Sequence, residues 1–450
     1  MAVLGLLAIG TATPGRAQAP TVSYSPEAGA EARQLIFVNN PERLEIGYTD
    51  VYNYTVSGTV FPSVTQGVTF YDLADPNLGQ KSVLQMTLAA GKYRDTFEHV
   101  WNFSRATVPA SAANPIAYGV QIFNPNSYSI RVTLAGRGFR TGFAAGQPYL
   151  DLFAEKAQNP LGTRYTVRPG RSLWLMRTDV DYGTRPINSG NFFSGVLDFD
   201  VEDGPSVVTH LAYQNLRALT NWSDMGYVPR TNSNSTTPAP ESRVYKGLMT
   251  YPDQAGGGFN TPAPGSVVTN LRFTVGSGTP SGEMPVQYPR YENRGDGTFV
   301  PLSNVTSGTA WFTHNIPSRN SNVVASDMFD INMPGFGTVF ALAPTTRINT
   351  GISQGNIANW GVTYHDSITV TNNDTRDRTF ALTLNNNGGG GSPIAYLDGT
   401  GIWKITTLNT VAFSYYPFTV APGETKTVDG YFVLGCPAVG TLRHAVRLLN

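Results

Sequence analysis

Along most of this chain apolar residues recur at every second position, the period of a strand with one buried face. Val83, Gln85 and Thr87 alternate with Leu84, Met86 and Leu88, and Val120 and Ile122 flank Gln121. The same period marks Ile130, Val132 and Leu134, then Ile368 and Val370, then Phe380, Leu382 and Leu384. It predicts strands at Gln34–Val38, Val51–Val56, Gly67–Tyr71, Ser82–Leu88, Thr96–Trp101 and Val267–Val275, with others between and beyond them. Helical spacing is rare. Leu150, Phe153, Ala154 and Ala157 fit a helix over Tyr149–Gln158, and Ser25–Arg33 fits a second short helix with Ser25 as its cap and Pro26 in its first turn.

One strand-turn-strand phrase occurs twice. Its first copy is Val120-Gln-Ile-Phe-Asn-Pro-Asn, then Ile130-Arg-Val-Thr-Leu, then Tyr165-Thr-Val-Arg-Pro-Gly. Its second is Ile368-Thr-Val-Thr-Asn-Asn-Asp, then Phe380-Ala-Leu-Thr-Leu, then Phe418-Thr-Val-Ala-Pro-Gly. Asn and Asp tolerate left-handed backbone and bond their own main chain, while Pro-Gly sets a tight turn. The fold class expected is therefore all-β: two antiparallel β-sandwich modules, Ig-like or jelly-roll-like, with long loops and one or two short helices.

The expected division follows composition. Residues 1–19 read as a signal peptide cleaved after Ala17 or after Ala19, and Pro20 favours Ala17 because proline is poorly accepted just past a scissile bond. Residues 20–228 form the N-terminal sandwich and 243–450 the C-terminal one, with a Gly/Pro-rich hairpin region inserted near 252–307. Between them, 229–242 is rich in Pro, Asn, Ser and Thr and offers little to bury, as suits a linker or mobile loop. The Asn385-Asn-Asn-Gly run is expected as an exposed loop.

Short elements spread over the chain carry a resemblance. Asn40-Pro-Glu, Tyr118-Gly-Val-Gln-Ile-Phe-Asn-Pro-Asn, Asn159-Pro-Leu-Gly, Tyr165-Thr-Val-Arg-Pro-Gly and Asn359-Trp-Gly-Val-Thr-Tyr occur in an order similar to that of a family of secreted bacterial proteins of unknown function, best known from cyanobacteria. The tail after Gly430 departs from that pattern. The resemblance implies secretion and a paired sandwich fold, and it supplies no catalytic residue.

Composition narrows the function classes. Charged residues are 14% of the chain and net charge is zero, so there is no basic run to displace counterions from nucleic acid or to hold an anionic membrane. No apolar stretch reaches the length of a membrane-spanning helix. The single cysteine, Cys436, excludes an intrachain disulfide. None of the five histidines falls at metal-ligand spacing, and no nucleophile elbow, P-loop or dinucleotide fingerprint is present. His99 and His314 hold comparable places ahead of the two phrases, which suits structural imidazoles.

Two sets of residues remain as candidates. Asp198, Asp200 and Glu202 share one face of a strand and, with Asp179 and Asp181, offer the oxygen ligands that calcium prefers, although a solvated strand face is the ordinary reading of such residues. Trp222 and Trp360, with Tyr415 and Tyr416, are aromatic candidates for stacking on sugars, set against the ordinary use of such rings in packing.

The reading expected from sequence is a secreted, non-enzymatic structural or surface protein that associates with itself or with other cell-surface components, as a subunit of an extracellular layer or filament. Calcium is the one cofactor considered. The alternative is a carbohydrate-binding or adhesive module with polysaccharide as its partner, and a glycoside-type hydrolase using Asp198 or Asp200 is a distant third.

Overall fold

The computed structural model describes residues 21–38, 43–45, 50–56, 59–66, 80–102, 115–142, 146–183, 187–188, 190–213, 246–248, 250–251, 261–262, 265–283, 291–293, 299–301, 314–316, 341–342, 346–347, 361–386, 392–435 and 442–450. The signal peptide expected at 1–19, the linker expected at 229–242, Trp222, Trp360, Cys436 and the strand expected at Gly67–Tyr71 lie outside them. The described chain is all-β apart from one α-helix, Gln147–Gln158, and a single 3-10 turn, Gly29–Glu31. None of its helices is long and apolar enough to cross a membrane.

Four sheets enclose two main cores. A seven-stranded sheet has at its centre Ile130–Thr141, Phe192–Val201 and Gly91–Asn102, and a four-stranded sheet runs Ser172–Arg177, Ala117–Phe123, Ser206–Tyr213, Gln80–Leu88. Their facing side chains, among them Phe97, Val120, Ile122, Val132 and Leu197, make the first core. A six-stranded sheet contains Ser266–Val275, Thr363–Asn372 and Thr425–Leu434, and a five-stranded sheet contains Arg378–Asn386, Phe413–Val420 and Leu442–Leu448. Ile368, Val370, Phe380, Leu382 and Phe432 make the second core. In Thr363–Asn372 buried and half-buried positions alternate, as the period of two requires.

Pairing is mostly antiparallel. Parallel pairs arise where the chain returns after a long excursion: Gln34–Val38 on Gly91–Asn102, Arg43–Glu45 on the same strand, and Ser266–Val275 on Thr363–Asn372.

The repeated phrase folds into the same hydrogen bonds twice. Asn124 and Asn372, both fully buried, close the strands that precede the turns. The Nδ2 of Asn124 donates to the carbonyls of Tyr128 and Val167, at 2.7 and 2.9 Å, and its Oδ1 accepts from the Asn126 N–H at 2.9 Å. The Nδ2 of Asn372 donates to Arg376 and Val420, at 2.9 Å each, and its Oδ1 accepts from the Asp374 N–H at 2.9 Å. The Pro-Gly turn docks on each in the same way: Gly170 N–H bonds the Asn124 carbonyl, and Gly423 N–H that of Asn372. Each asparagine thus ties its own turn to the strand entering the distant Pro-Gly turn.

Two local expectations are corrected. Of the helix expected over Ser25–Arg33 only the 3-10 turn Gly29–Glu31 forms; Ser25 and Pro26 end the strand Thr21–Pro26, whose backbone pairs along six residues with Ser266–Val275, a pairing that outweighs the local Ser-Pro signal. Asn385 and Asn386 are not loop residues; they end the strand Arg378–Asn386 and are buried, with the Asn386 N–H bonded to the Asn409 carbonyl at 2.6 Å.

The halves are interlocked. Thr21–Pro26 lies in the six-stranded sheet of the C-terminal half, while Lys246–Leu248 pairs with Gln34–Val38 in the seven-stranded sheet. A boundary at 229–242 therefore leaves one segment on each side that belongs to the other. Gln34–Val38 serves both cores: Ile36 and Val38 enter the first, Leu35 and Phe37 the second.

Candidate functional site

The acidic strand lies where the halves meet. Phe192–Val201 pairs with Gly91–Asn102 so that Asp198 is opposite Arg94 and Asp200 opposite Lys92. Arg94 and Asp198 are both buried, and the guanidinium grips the carboxylate through Nε and Nη2 at 2.7 Å each. Lys156, from the helix, reaches the same carboxylate at 3.0 Å and also holds Glu31 at 2.6 Å. Arg33 lies 3.4 Å from Asp198 and bonds Asp200 at 2.5 Å. Burial alone would push the Asp198 carboxyl up, but Arg94, then Lys156 and Arg33, hold it well below the usual carboxylate range. Arg94 suffers the opposite penalty, and Asp198 outweighs it to keep the guanidinium charged.

This cluster also binds the C-terminal half. Arg94 Nη1 donates to the carbonyls of Gly265 and Gly361, at 3.0 and 3.3 Å, and to the Thr363 hydroxyl. Beside it Phe153 stacks flat on Trp403, with centroids 3.7 Å apart and planes 7° from parallel. Arg94 and Lys156 sit about the same ring at 5.8 and 6.0 Å. Tyr149, Leu152 and Phe153 of the helix join Val196, Ala395 and Val433 from sheets of both halves. The helix is a wedge between them.

The other acidic candidates are placed apart. Asp179 pairs with Arg177 at 2.7 Å and accepts from the Tyr213 hydroxyl at 2.6 Å. Asp181 pairs with Arg137 at 2.9 Å. Glu202 lies beyond the strand, paired with Arg164 and accepting from the Thr133 hydroxyl at 3.0 Å. Only Asp198 and Asp200 come together, and they do so around Arg33. Each of the five carboxylates has a cation where a calcium ion would need open oxygen ligands, and among the described residues no three His, Cys, Asp or Glu side chains converge as a metal site requires.

Both cores hold a buried Asp-His-Tyr group that the sequence reading did not identify. In the first, His210 bonds Asp95 at 2.7 Å through Nε2 and the Tyr118 hydroxyl at 3.0 Å through Nδ1, and that hydroxyl reaches His99 at 3.1 Å. All four are fully buried. Burial, then the charge of Asp95, pushes the Tyr118 hydroxyl well up. In the second, the Tyr415 hydroxyl shares a 3.0 Å bond with His444, and His444 lies 3.2 Å from Asp366. The strand of His99 pairs with Phe192–Val201, and His314 pairs with His444. His99 thus bonds a tyrosine inside the core.

A surface cleft of about 430 Å³ opens beside the second group, lined by Tyr396, Asp398, Thr400, Lys404, Phe413 and Tyr415 among others. Tyr415 is buried and turns its hydroxyl inward to His444; Tyr416 packs half-buried against the core. Asp398 Oδ1 accepts from the Thr400 N–H and hydroxyl and the Ile402 N–H, and its Oδ2 pairs with Lys404 at 2.5 Å. Those bonds, led by Lys404, hold the Asp398 carboxyl below its ordinary value.

No protein-family model and no curated protein matches this chain. Among solved structures, it is similar at 8% identity to a Lactobacillus farciminis oxalate decarboxylase in its formate complex, over 81% of this chain and 86% of that one, with a TM-score of 0.11. A Bacillus subtilis oxalate decarboxylase at pH 4.6 is 9% identical over 81% of this chain and 76% of that one, also with a TM-score of 0.11. Overlays at that score carry no argument about fold or activity.

Proposed function

We propose that this chain is a secreted, non-enzymatic structural protein that associates with copies of itself in an extracellular or cell-surface layer or filament. The observation that carries the reading is the repeated phrase: in both halves its polar residues make one and the same set of scaffold bonds around Asn124 and Asn372. The conspicuous acids act likewise, each neutralised by a neighbouring Arg or Lys. Zero net charge and low charge content lessen repulsion between copies. Sheet edges supply the backbone groups through which copies pair. Size-exclusion chromatography with light scattering, and negative-stain microscopy of the mature protein, test the reading. Ordered oligomers are expected, and a strict monomer at high concentration overturns it.

The cleft favours a second reading, a carbohydrate-binding or adhesive module. Tyr396 and Phe413 supply apolar ring surface beside the Asp398–Lys404 pair, a mixture suited to sugar faces and hydroxyls. A glycan array with Tyr396→Ala, Trp222→Ala and Trp360→Ala tests it. Binding lost in Tyr396→Ala places the sugar in the cleft, and no binding by the parent protein removes the reading.

A further inference from the structure

We propose that Thr21–Pro26 is an exchangeable strand, so that the same strand from a second copy of this chain completes the six-stranded sheet and links copies head to tail. This rests on the self-association reading and gives it a mechanism. Thr21–Pro26 is the edge strand of its sheet, and its partner among the described residues is Ser266–Val275, in register from Thr21 opposite Arg272 to Pro26 opposite Val267. The next strand, Gln34–Val38, belongs to a different sheet. The chain therefore leaves one sheet and enters another across Glu27–Arg33 alone.

Within that connector Glu27 would travel with the strand and Glu31–Arg33 would stay with the body of its own chain. Glu27 is bound to the sheet it leaves: its N–H bonds the Ser266 carbonyl at 2.9 Å, and its carboxylate meets His365 at 2.9 Å. Glu31 and the Arg33 side chain are held by Lys156 and by Asp198 and Asp200, the Arg33 carbonyl accepts from the Gly265 N–H at 2.7 Å, and the Gly29 carbonyl accepts from Lys92 at 3.1 Å, the one of these bonds that opening the hinge gives up. Gly29 lies between, at a φ of +68°. A Cβ placed there would meet nothing within 4 Å, so the position demands a backbone conformation and not space. An edge strand makes identical bonds whether it comes from its own chain or another, so the two forms differ mainly at the hinge and in concentration dependence. Seven residues span roughly 25 Å when extended, enough to step from one molecule to a neighbour. Because donor and acceptor edges are different surfaces, the contact is heterologous and propagates into rings or filaments.

Gly29→Val separates the two forms. The closed turn penalises a β-branched side chain at positive φ and an extended hinge does not, so the oligomer-to-monomer ratio is expected to rise roughly tenfold. Exchange is read directly by mixing two full-length proteins, both Cys436→Ser, one tagged and carrying Ser23→Cys, the other carrying Asn270→Cys. These positions are opposite each other in the register. After incubation at high concentration and treatment with a short bis-maleimide, exchange yields a covalent product joining tagged and untagged chains, at higher yield in the Gly29→Val background. Oligomers by light scattering without that product overturn the exchange and leave self-association standing. Monomers alone overturn both.

Discussion

At the scale of single residues, the groups that stand out in this protein are buried and paired. Asn124 and Asn372 each donate two amide N–H bonds to main-chain carbonyls, one within the turn and one on the strand entering the distant Pro-Gly turn. Replacing either with Ala removes both buried bonds, and a loss of about 1–3 kcal/mol is expected in chemical denaturation, similar for the two sites because the geometry is the same. Asp198 has more at stake. Asp198→Asn leaves Arg94 buried without its counter-charge, for a cost of about 3–5 kcal/mol. Its carboxyl is held below the usual range when folded, so its stabilisation is fully present above the unfolded value of about 3.9 and is lost as pH falls below it toward the folded value. Denaturation midpoints of the parent protein should therefore fall as acid is added below about pH 4. Those of Asp198→Asn, lower throughout, should fall less steeply; parallel slopes would refute the assignment.

At the scale of elements, the helix is the part whose place the local pattern does not convey. Its apolar spacing predicts that it forms, and it runs two residues earlier than expected, Gln147–Gln158. Its seat is made by the strand beneath it. A Cβ on Gly138 would fall 1.8 Å from the Pro148 carbonyl oxygen, and one on Gly136 would fall 3.0 Å from that of Leu152. The Gly136-Arg137-Gly138 segment is what allows the helix backbone to lie directly on the sheet. Gly138→Val should lift the first turn, disturb the Phe153–Trp403 stack and lower the thermal midpoint by several degrees. Trp403 fluorescence should shift toward that of an exposed indole; an unchanged spectrum would count against the wedge.

At the scale of the whole molecule, the duplication was legible and the joinery was not. Alternation and turn chemistry suffice for strands because they act between neighbours in sequence, and an Asn-x-Asn or Asn-x-Asp turn followed by Pro-Gly recurs recognisably in both halves. Arg33, Arg94 and Lys156 gave no such signal: they come from three separate segments and acquire a shared role only when the strands pair around Asp198. The Asp95, His210, Tyr118 and His99 group was hidden for the same reason, since strand pairing and sheet packing bring together residues as far apart as Asp95 and His210. Asp198, Asp200 and Glu202 were expected on one solvated strand face, whereas Asp198 is buried and Glu202 lies beyond the strand, because a strand's own residues cannot reveal which cations cover them. Self-association belongs to this scale too, and is tested by light scattering and by the cross-linking of Ser23→Cys to Asn270→Cys.

What the sequence determined by itself is the local grammar: an all-β chain, a doubled strand-turn-strand, a helix of nearly the observed length, and turns built from Asn and Pro-Gly. Periodicity and turn propensity are short-range physics, and they are written in adjacent residues. Only the tertiary structure decided that Gln34–Val38 feeds two cores, that Thr21–Pro26 crosses to the far sheet, and that Asp198 is a sealed anchor between halves. Those outcomes depend on which distant strands pair and which charges then lose water together, and neither is encoded at any single position.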